Sequence, residues 1–260
     1  MKKEILFIHS AGPQGYQEGS DFLLSYLRTS LGSGYELLSP RMPNPENPHF
    51  KAWKAKVEKV LASIKDDSVI LVGHSLGGSV LLKFLSESSF KKSISGLFLI
   101  APPYWGSANW EVDEYMLRKD FSLKLSQVPE VFLYHSSDDE VVPIRHMCYY
   151  SEELPHAKIR ALNSTGHLFS KGLPELVVDI RSLNAEIEVF KTDVRDHVWA
   201  NVLKDQIERV FSDYEIHFDL EDCDKILRVK STSEQIESAR VIDLLNAYGF
   251  HAEILTHELQ

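Results

Sequence analysis

Three side chains of this sequence carry the types and the order needed to attack an acyl carbon. Ser75 stands in Gly73-His74-Ser75-Leu76-Gly77, a G-x-S-x-G pentapeptide. Asp138 and Asp139 follow, then His167 in Asn163-Ser164-Thr165-Gly166-His167. A serine hydroxyl is a weak nucleophile at neutral pH, so an imidazole must take its proton as it attacks. A carboxylate must in turn fix the tautomer of that imidazole and stabilise the imidazolium. Of the 11 histidines, those at 9, 49, 74 and 135 precede the acid, and His146 and His156 fall in a helix and its exit. His167 alone follows a strand in a short glycine-containing loop. Asp139 lies in Asp139-Glu140-Val141-Val142-Pro143, a D-x-x-V-P register that favours it as the acid. Asp138 is the alternative, with a turn residue bonding its own backbone as the plainer reading.

The elements around these residues must place them at one edge of a sheet. Ser68–Val72 is a β-branched apolar run and reads as a buried strand, and the residues from Gly78 to Leu85 have helical apolar spacing. Ser75 then sits on a strand-to-helix turn so tight that only glycine suits positions 73 and 77. Val128–Tyr134 and Ala157–Leu162 are further strands, each ending just before a candidate partner. Ser…Asp…His, with the partners past strand C-termini, is the α/β-hydrolase order. An anion formed on the attacked carbonyl needs backbone donors. The amide of Leu76 is one, and the loop His9-Ser10-Ala11-Gly12 after the strand Glu4–Ile8 supplies the other, from Ala11 or Ser10.

The rest of the first 182 residues alternates strand and helix. Asp21–Leu31 reads as a helix with Phe22, Leu23, Tyr26 and Leu27 on one face, Tyr35–Leu38 as a strand, and Pro40–Pro48 as a proline-punctuated loop. Phe50–Ile64 reads as a helix and Gly96–Ala101 as a strand. This rhythm predicts an α/β fold: a doubly wound, mostly parallel sheet covered by helices on both faces. Between Pro102 and Gln127 the pattern loosens and aromatics crowd together. Tyr104, Trp105 and Trp110, with His74, are candidates for lining a substrate pocket, the aromatics as a lid or as ordinary packing on the sheet edge.

The strand ending in His9-Ser10-Ala11-Gly12, the elbow, and the segment Arg41-Met42-Pro43-Asn44-Pro45 followed by Trp53 resemble the small serine hydrolases related to retinoblastoma-binding protein 9. The resemblance covers residues 1–182. It implies a cytoplasmic hydrolase of esterase-like or peptidase-like activity with no cofactor. No L-x-C-x-E motif is present, so retinoblastoma binding does not carry over.

Residues 186–260 differ in kind. Strands at Glu186–Lys191, Tyr214–Leu220, Lys225–Val229 and Phe250–Thr256 and helices at Val194–Phe211 and Ser233–Tyr248 give βαββαβ, the order of a small ferredoxin-like α+β domain. It resembles heavy-metal-associated domains but lacks their C-x-x-C, so no metal site is expected. A protein partner or a second copy of the chain is the expected ligand of this domain.

Composition sets outer bounds. A hydrophobic content of 43% over 260 residues supports a sizeable core and more than one domain. The net charge of -10 argues against nucleic acid and anionic membrane as partners. No apolar run approaches membrane-spanning length, and none at the start is long enough for a secretion signal. Cys148 and Cys223 are isolated and read as small buried residues. The function expected is a serine hydrolase acting on a small ester, thioester or amide. The alternative is a catalytically silent hydrolase fold whose last domain binds a partner.

Overall fold

The computed structural model describes residues 2–88, 92–107, 109–183, 185–231 and 236–255. The chain divides into two compact units, Met1–Asp179 and Ile180–Gln260.

The first unit is built on six parallel strands. They are β1 (Lys3–Ile8), β2 (Tyr35–Leu38), β3 (Ser68–His74), β4 (Ser93–Ile100), β5 (Val131–Ser136) and β6 (Lys158–Leu162), in the order β2-β1-β3-β4-β5-β6. Such strands bury both faces and read as continuous apolar runs, as Ile5-Leu6-Phe7-Ile8 does. Side chains alternate between the two faces. Leu6, Ile8, Leu71 and Leu99 join one cluster with Trp53 and Val57 of α2 (Phe50–Ser63) and Val80 and Leu81 of α3 (Leu76–Glu87). Tyr134 lies on the opposite face. Its hydroxyl donates to Asp179 of α6 (Pro174–Ser182), whose carboxylate also receives two bonds from the Arg160 guanidinium. The helices thus flank the sheet on both sides, as the alternating pattern predicts. The strand order turns back between β1 and β3, and the crevice of an open α/β sheet forms at such a switch point. Ser75 follows β3 there, and the His9–Gly12 loop follows β1.

Element bounds follow the sequence reading closely in this unit, but one face differs. In α1 (Asp21–Leu31) the buried residues are Leu23, Leu24, Leu27 and Leu31, whereas Phe22 is exposed. The i, i+4, i+8 row through 23, 27 and 31 sets the stripe, and Phe22 falls off it. Among the described residues, the segment after β4 holds a 3₁₀ turn at Asp113–Tyr115 and the short helix α4 (Phe121–Leu125).

The second unit runs β7 (Glu186–Thr192), α7 (His197–Val210), β8 (Tyr214–Asp219), β9 (Ile226–Ser231), α8 (Ser238–Ala247) and β10 (Ala252–Ile254). Its antiparallel sheet has the order β10-β7-β9-β8. Phe190, Leu203, Ile207, Leu227, Val229, Val241 and Leu245 form its core. Helix α7 begins three residues later than its apolar pattern suggests. Asp196 is its N-cap, accepting from the amides of Val198 and Trp199, and Val194 is buried ahead of the helix. The inward face of α7 is Ala200, Leu203 and Ile207, while Val198 and Val210 are exposed. Helix α8 starts at Ser238. The expected cap, Ser233, and Thr256 lie outside the described residues.

Both cysteines are exposed, against expectation. Met147 and Tyr150 take the inward positions of α5 (Arg145–Glu153), which turns Cys148 outward. Cys223 lies in the β8–β9 turn. Its neighbours Asp222 and Asp224 are accounted for by a turn bond between them and by an ion pair from Lys191 to Asp224. Among the described residues no helix is long and apolar enough to cross a membrane.

Candidate active site

The turn that carries Ser75 is sterically forced. Ser75 has φ 52° and ψ -120°, a strained conformation for a residue with a side chain. A Cβ at residue 73 would lie 2.6 Å from the backbone of Gly78. One at residue 77 would run into the carbonyl oxygens of Ile8 and His9. The obstacles are backbone, so neither clash can be relieved by a rotamer change. Ser75 donates its amide to Ile100 and accepts from the amide of Gly78 with its carbonyl. The turn is therefore tied to β4 and to the first turn of α3, and the amides of Leu76 and Gly77 start the helix, where backbone N–H groups lack intrahelical partners.

Asp139 and His167 meet as the D-x-x-V register suggests. His167 Nδ1 lies 2.8 Å from Asp139 Oδ2. The other carboxylate oxygen, Oδ1, accepts from the amides of Val141 and Val142 at 2.9 and 2.7 Å. Burial alone would raise the pKa of Asp139. Hydrogen bonds from His135 and His167 and the positive field of His167 outweigh it, so the carboxyl is held well below its ordinary value. Asp139 is thus an anion that faces His167 Nδ1. Asp138 does different work. Its carboxylate accepts from the Ser136 hydroxyl and from the amide of Gly166, which shapes the turn before His167. His135, unforeseen from the sequence, bonds the Val142 carbonyl through Nε2 at 2.7 Å and approaches Asp139 at 3.4 Å.

His74 is not a pocket-lining residue. It is fully buried, and burial followed by the nearby His167 lowers its pKa to about 3, so it is neutral. Its Nε2 lies 2.9 Å from the backbone carbonyl of His167 and its Nδ1 2.9 Å from Ser20 Oγ. A carbonyl can only accept, so Nε2 carries the proton and Nδ1 accepts from the Ser20 hydroxyl. Ser20 Oγ then accepts the Ser10 amide at 2.9 Å and faces Ser10 Oγ at 3.1 Å. One buried chain thus connects the loop after β1, the start of α1, the elbow and the His167 loop. Phe169 closes it with its ring edge-on to His74 at 6.0 Å. No sequence signal marks Ser20 for this role.

The loop after β1 is further held by the Met-Pro-Asn-Pro segment. Gln14 accepts from the amide of Met42, Gly12 donates to the carbonyl of Pro45, and the Trp53 indole donates to the carbonyl of Pro43. The Ser10 amide is already taken by Ser20, whereas Ala11 is exposed and its amide bonds no other described residue.

Tyr104 and Trp105 line a cavity of about 390 Å³ with Phe121 and Tyr150. Ser75, Asp139 and His167 do not line it, nor does Trp110. Trp105 packs on Trp110 and Tyr115, and Trp110 on His146. The aromatics are therefore chiefly packed on one another and on the core. The indole N–H of Trp105 is buried without a partner among the described residues.

Comparison with known proteins agrees with the geometry. A family model described as serine hydrolase matches residues 26–173, a span that contains Ser75, Asp139 and His167. The solved structure of the ydeN gene product of B. subtilis superposes with a TM-score of 0.59 at 20% identity, covering 70% of this chain and 99% of that one. MGS-M1, an α/β hydrolase from a Medee basin deep-sea metagenome library, gives 0.51 at 21% identity, covering 81% and 86%. The 2-hydroxy-6-oxo-6-phenylhexa-2,4-dienoate hydrolase of Rhodococcus sp. strain RHA1 gives 0.53 at 16%, covering 69% and 91%. At these identities the likeness is one of fold, that of an α/β hydrolase. No curated protein matches the sequence.

Proposed function

Since the chain belongs to the serine hydrolase family, we propose that it cleaves a small ester, thioester or amide through Ser75, His167 and Asp139. The observation that carries this reading is a strained serine at the β3–α3 turn, whose neighbour His74 bonds the carbonyl of a histidine held at 2.8 Å by an aspartate with an enclosed side chain. Ser75 Oγ attacks the acyl carbon while His167 Nε2 takes its proton. Asp139 stabilises the resulting imidazolium. The amides of Leu76 and Ala11 receive the oxyanion, a contribution of about 3 kcal/mol per donor. The imidazolium then protonates the leaving group, and water repeats the sequence to release the acid. A direct Ser75–His167 hydrogen bond is absent among the described residues, as is common before substrate binds. No step requires a cofactor or a metal.

The finer assignments belong to the same reading. The Met-Pro-Asn-Pro…Trp53 contacts support kinship with the retinoblastoma-binding protein 9-like hydrolases, and with it a cytoplasmic setting. We take residues 1–182 as the catalytic domain and 186–260 as a ferredoxin-like domain, supported by the order βαββαβ and the strand order β10-β7-β9-β8. Its ligand is a protein partner or a second copy of the chain.

The test is labelling with a fluorophosphonate probe, which reacts only with an activated serine. Labelling of the wild type at Ser75 and none of Ser75→Ala is expected. An unlabelled, folded wild type would favour the catalytically silent alternative.

A further inference from the structure

A second cavity adjoins the loop that supplies the proposed oxyanion donor. It measures about 320 Å³, the lower end of small-ligand sites. One wall is the loop itself, through His9, Gln14 and Gly15, and the other is α1 with the segment Ser39–Arg41. Gln14 joins the two walls, donating to the Ser10 carbonyl and accepting from the Met42 amide. The elbow packs on the start of the same loop, because Gly77 rests against the carbonyls of Ile8 and His9.

The charges in this cavity are unbalanced. Arg41 has no hydrogen bond or ion pair among the described residues. Arg28 donates to the Ser39 hydroxyl at 2.7 Å and pairs with no carboxylate among the described residues. In a chain of net charge -10, two guanidiniums lining one concavity with no ion pair among the described residues are conspicuous. The single acid of the lining, Asp21, is engaged by the Gln17 amide. Its backbone precedes that of Arg28 by two turns of α1, about 10 Å along the axis, and no ion pair joins the two among the described residues. His9 completes the wall. It is 7% exposed, and neither ring nitrogen has a partner among the described residues, with Nδ1 sealed from solvent. A buried polar group left unsatisfied is costly, and here it belongs to a residue of the cavity wall.

We propose that this cavity is a carboxylate subsite, and that the substrate attacked by Ser75 bears a carboxylate received by Arg28 and Arg41. Planar guanidiniums suit a carboxylate because each offers paired N–H donors matching its two oxygens. The subsite lies on the oxyanion side of the elbow, so it takes a chain carried on the acyl group. The preferred substrates are then monoesters of dicarboxylic acids. This inference rests on the reading of Ser75 as nucleophile.

The test compares mono-4-nitrophenyl adipate with 4-nitrophenyl hexanoate, which have equal chain length and differ in the terminal carboxylate. The wild type is expected to favour the adipate ester at least tenfold in kcat/KM, with the preference shrinking as salt is added. Arg28→Ala/Arg41→Ala should lower that ratio at least tenfold, and Arg41→Lys should recover part of it. No preference in the wild type, or a ratio unchanged in the double variant, overturns the proposal. Failure of the nucleophile reading would appear separately, as absent fluorophosphonate labelling. In that event, calorimetric binding of free adipate that is lost in the double variant still supports the subsite, and no binding overturns it.

Discussion

The imidazole of His74 holds the backbone carbonyl of His167 at 2.9 Å. The residue just before the proposed nucleophile therefore fixes the loop that carries the proposed base. Removing it by His74→Leu leaves that carbonyl without its donor and takes from the Ser20 hydroxyl its acceptor on the imidazole, costing about 1–3 kcal/mol of stability. A kcat lowered at least tenfold with little change in KM is expected, because the loop and not the pocket is disturbed. His74→Gln can still donate to the carbonyl and should restore much of the rate. Destabilised His74→Leu with wild-type kcat would limit His74 to a structural role.

The two adjacent aspartates should separate cleanly. Asp139→Asn loses the anion facing His167 and should reduce kcat by about 10⁴-fold. Asp138→Asn keeps an oxygen able to accept from Gly166 and should cost less than about tenfold, a small share of a triad carboxylate's effect. Steady-state kinetics on a 4-nitrophenyl ester decide the matter. The reverse ranking would transfer the acid to Asp138.

The elbow stores strain that substitution can release. Ser75→Gly and Ser75→Ala should both abolish turnover. The glycine variant should be the more stable by about 1 kcal/mol, because only alanine retains a Cβ at φ 52°. Gly77→Ala should fail to fold or melt far below the wild type, since its methyl would enter the Ile8 and His9 carbonyls. Equal melting temperatures for the two Ser75 variants would refute the strain argument.

Three buried histidines predict how stability depends on pH. Burial is the leading cause that lowers His74 to about 3 and His9 and His146 to about 4. Between those values and the ordinary 6.5 the unfolded chain binds these protons and the folded chain does not. Unfolding at pH 5 should therefore take up about three protons, and stability should fall as pH drops below 6.5. Each group contributes up to about 1.4 kcal/mol per pH unit. Carboxylates add little above pH 5, because their ordinary values lie near 4. Urea denaturation at pH 7, 6 and 5 measures the slope, and His9→Gln should reduce it by about one proton. A stability flat across that range would contradict the buried neutral state.

What the sequence made legible is what local rules govern. Gly73 and Gly77 mark the elbow because backbone contact excludes any side chain there. The D-x-x-V register marks Asp139 because the amide of Val142 must reach its carboxylate. The bounds of β1, α1 and β2 follow from short-range pattern. Contacts across long sequence separations were not legible. Ser20 lies 54 residues before His74, and no spacing links them, so His74 read as a pocket residue and not as the hub of a buried chain. Val194 and Val198 misled for a related reason. Apolar identity says nothing about which valine the core receives, and the Asp196 cap decides where α7 begins. Cys148 reads as buried by type, yet Met147 and Tyr150 already fill the inward face.

The division of labour between the two units yields the last prediction. Ser75, Asp139, His167 and the amides of Leu76 and Ala11 all precede residue 170, but α6 runs on to Ser182. That helix matters to the sheet, because Asp179 accepts from the buried Tyr134 hydroxyl at 2.7 Å and pairs with Arg160 at 2.8 Å. Tyr134 is on β5, the strand that leads to Asp139. A chain ending at Leu183 keeps these contacts and should fold and react with the fluorophosphonate probe at a rate within about threefold of the full chain, a change under 1 kcal/mol in the barrier. A chain ending at Gly172 leaves the Tyr134 hydroxyl and the Arg160 guanidinium without Asp179 and should be unstable or inactive. Circular dichroism beside probe labelling distinguishes the cases. A chain ending at Leu183 that folds but does not label would mean that residues 184–260 complete the site, and the catalytic unit would have to be redrawn to include them.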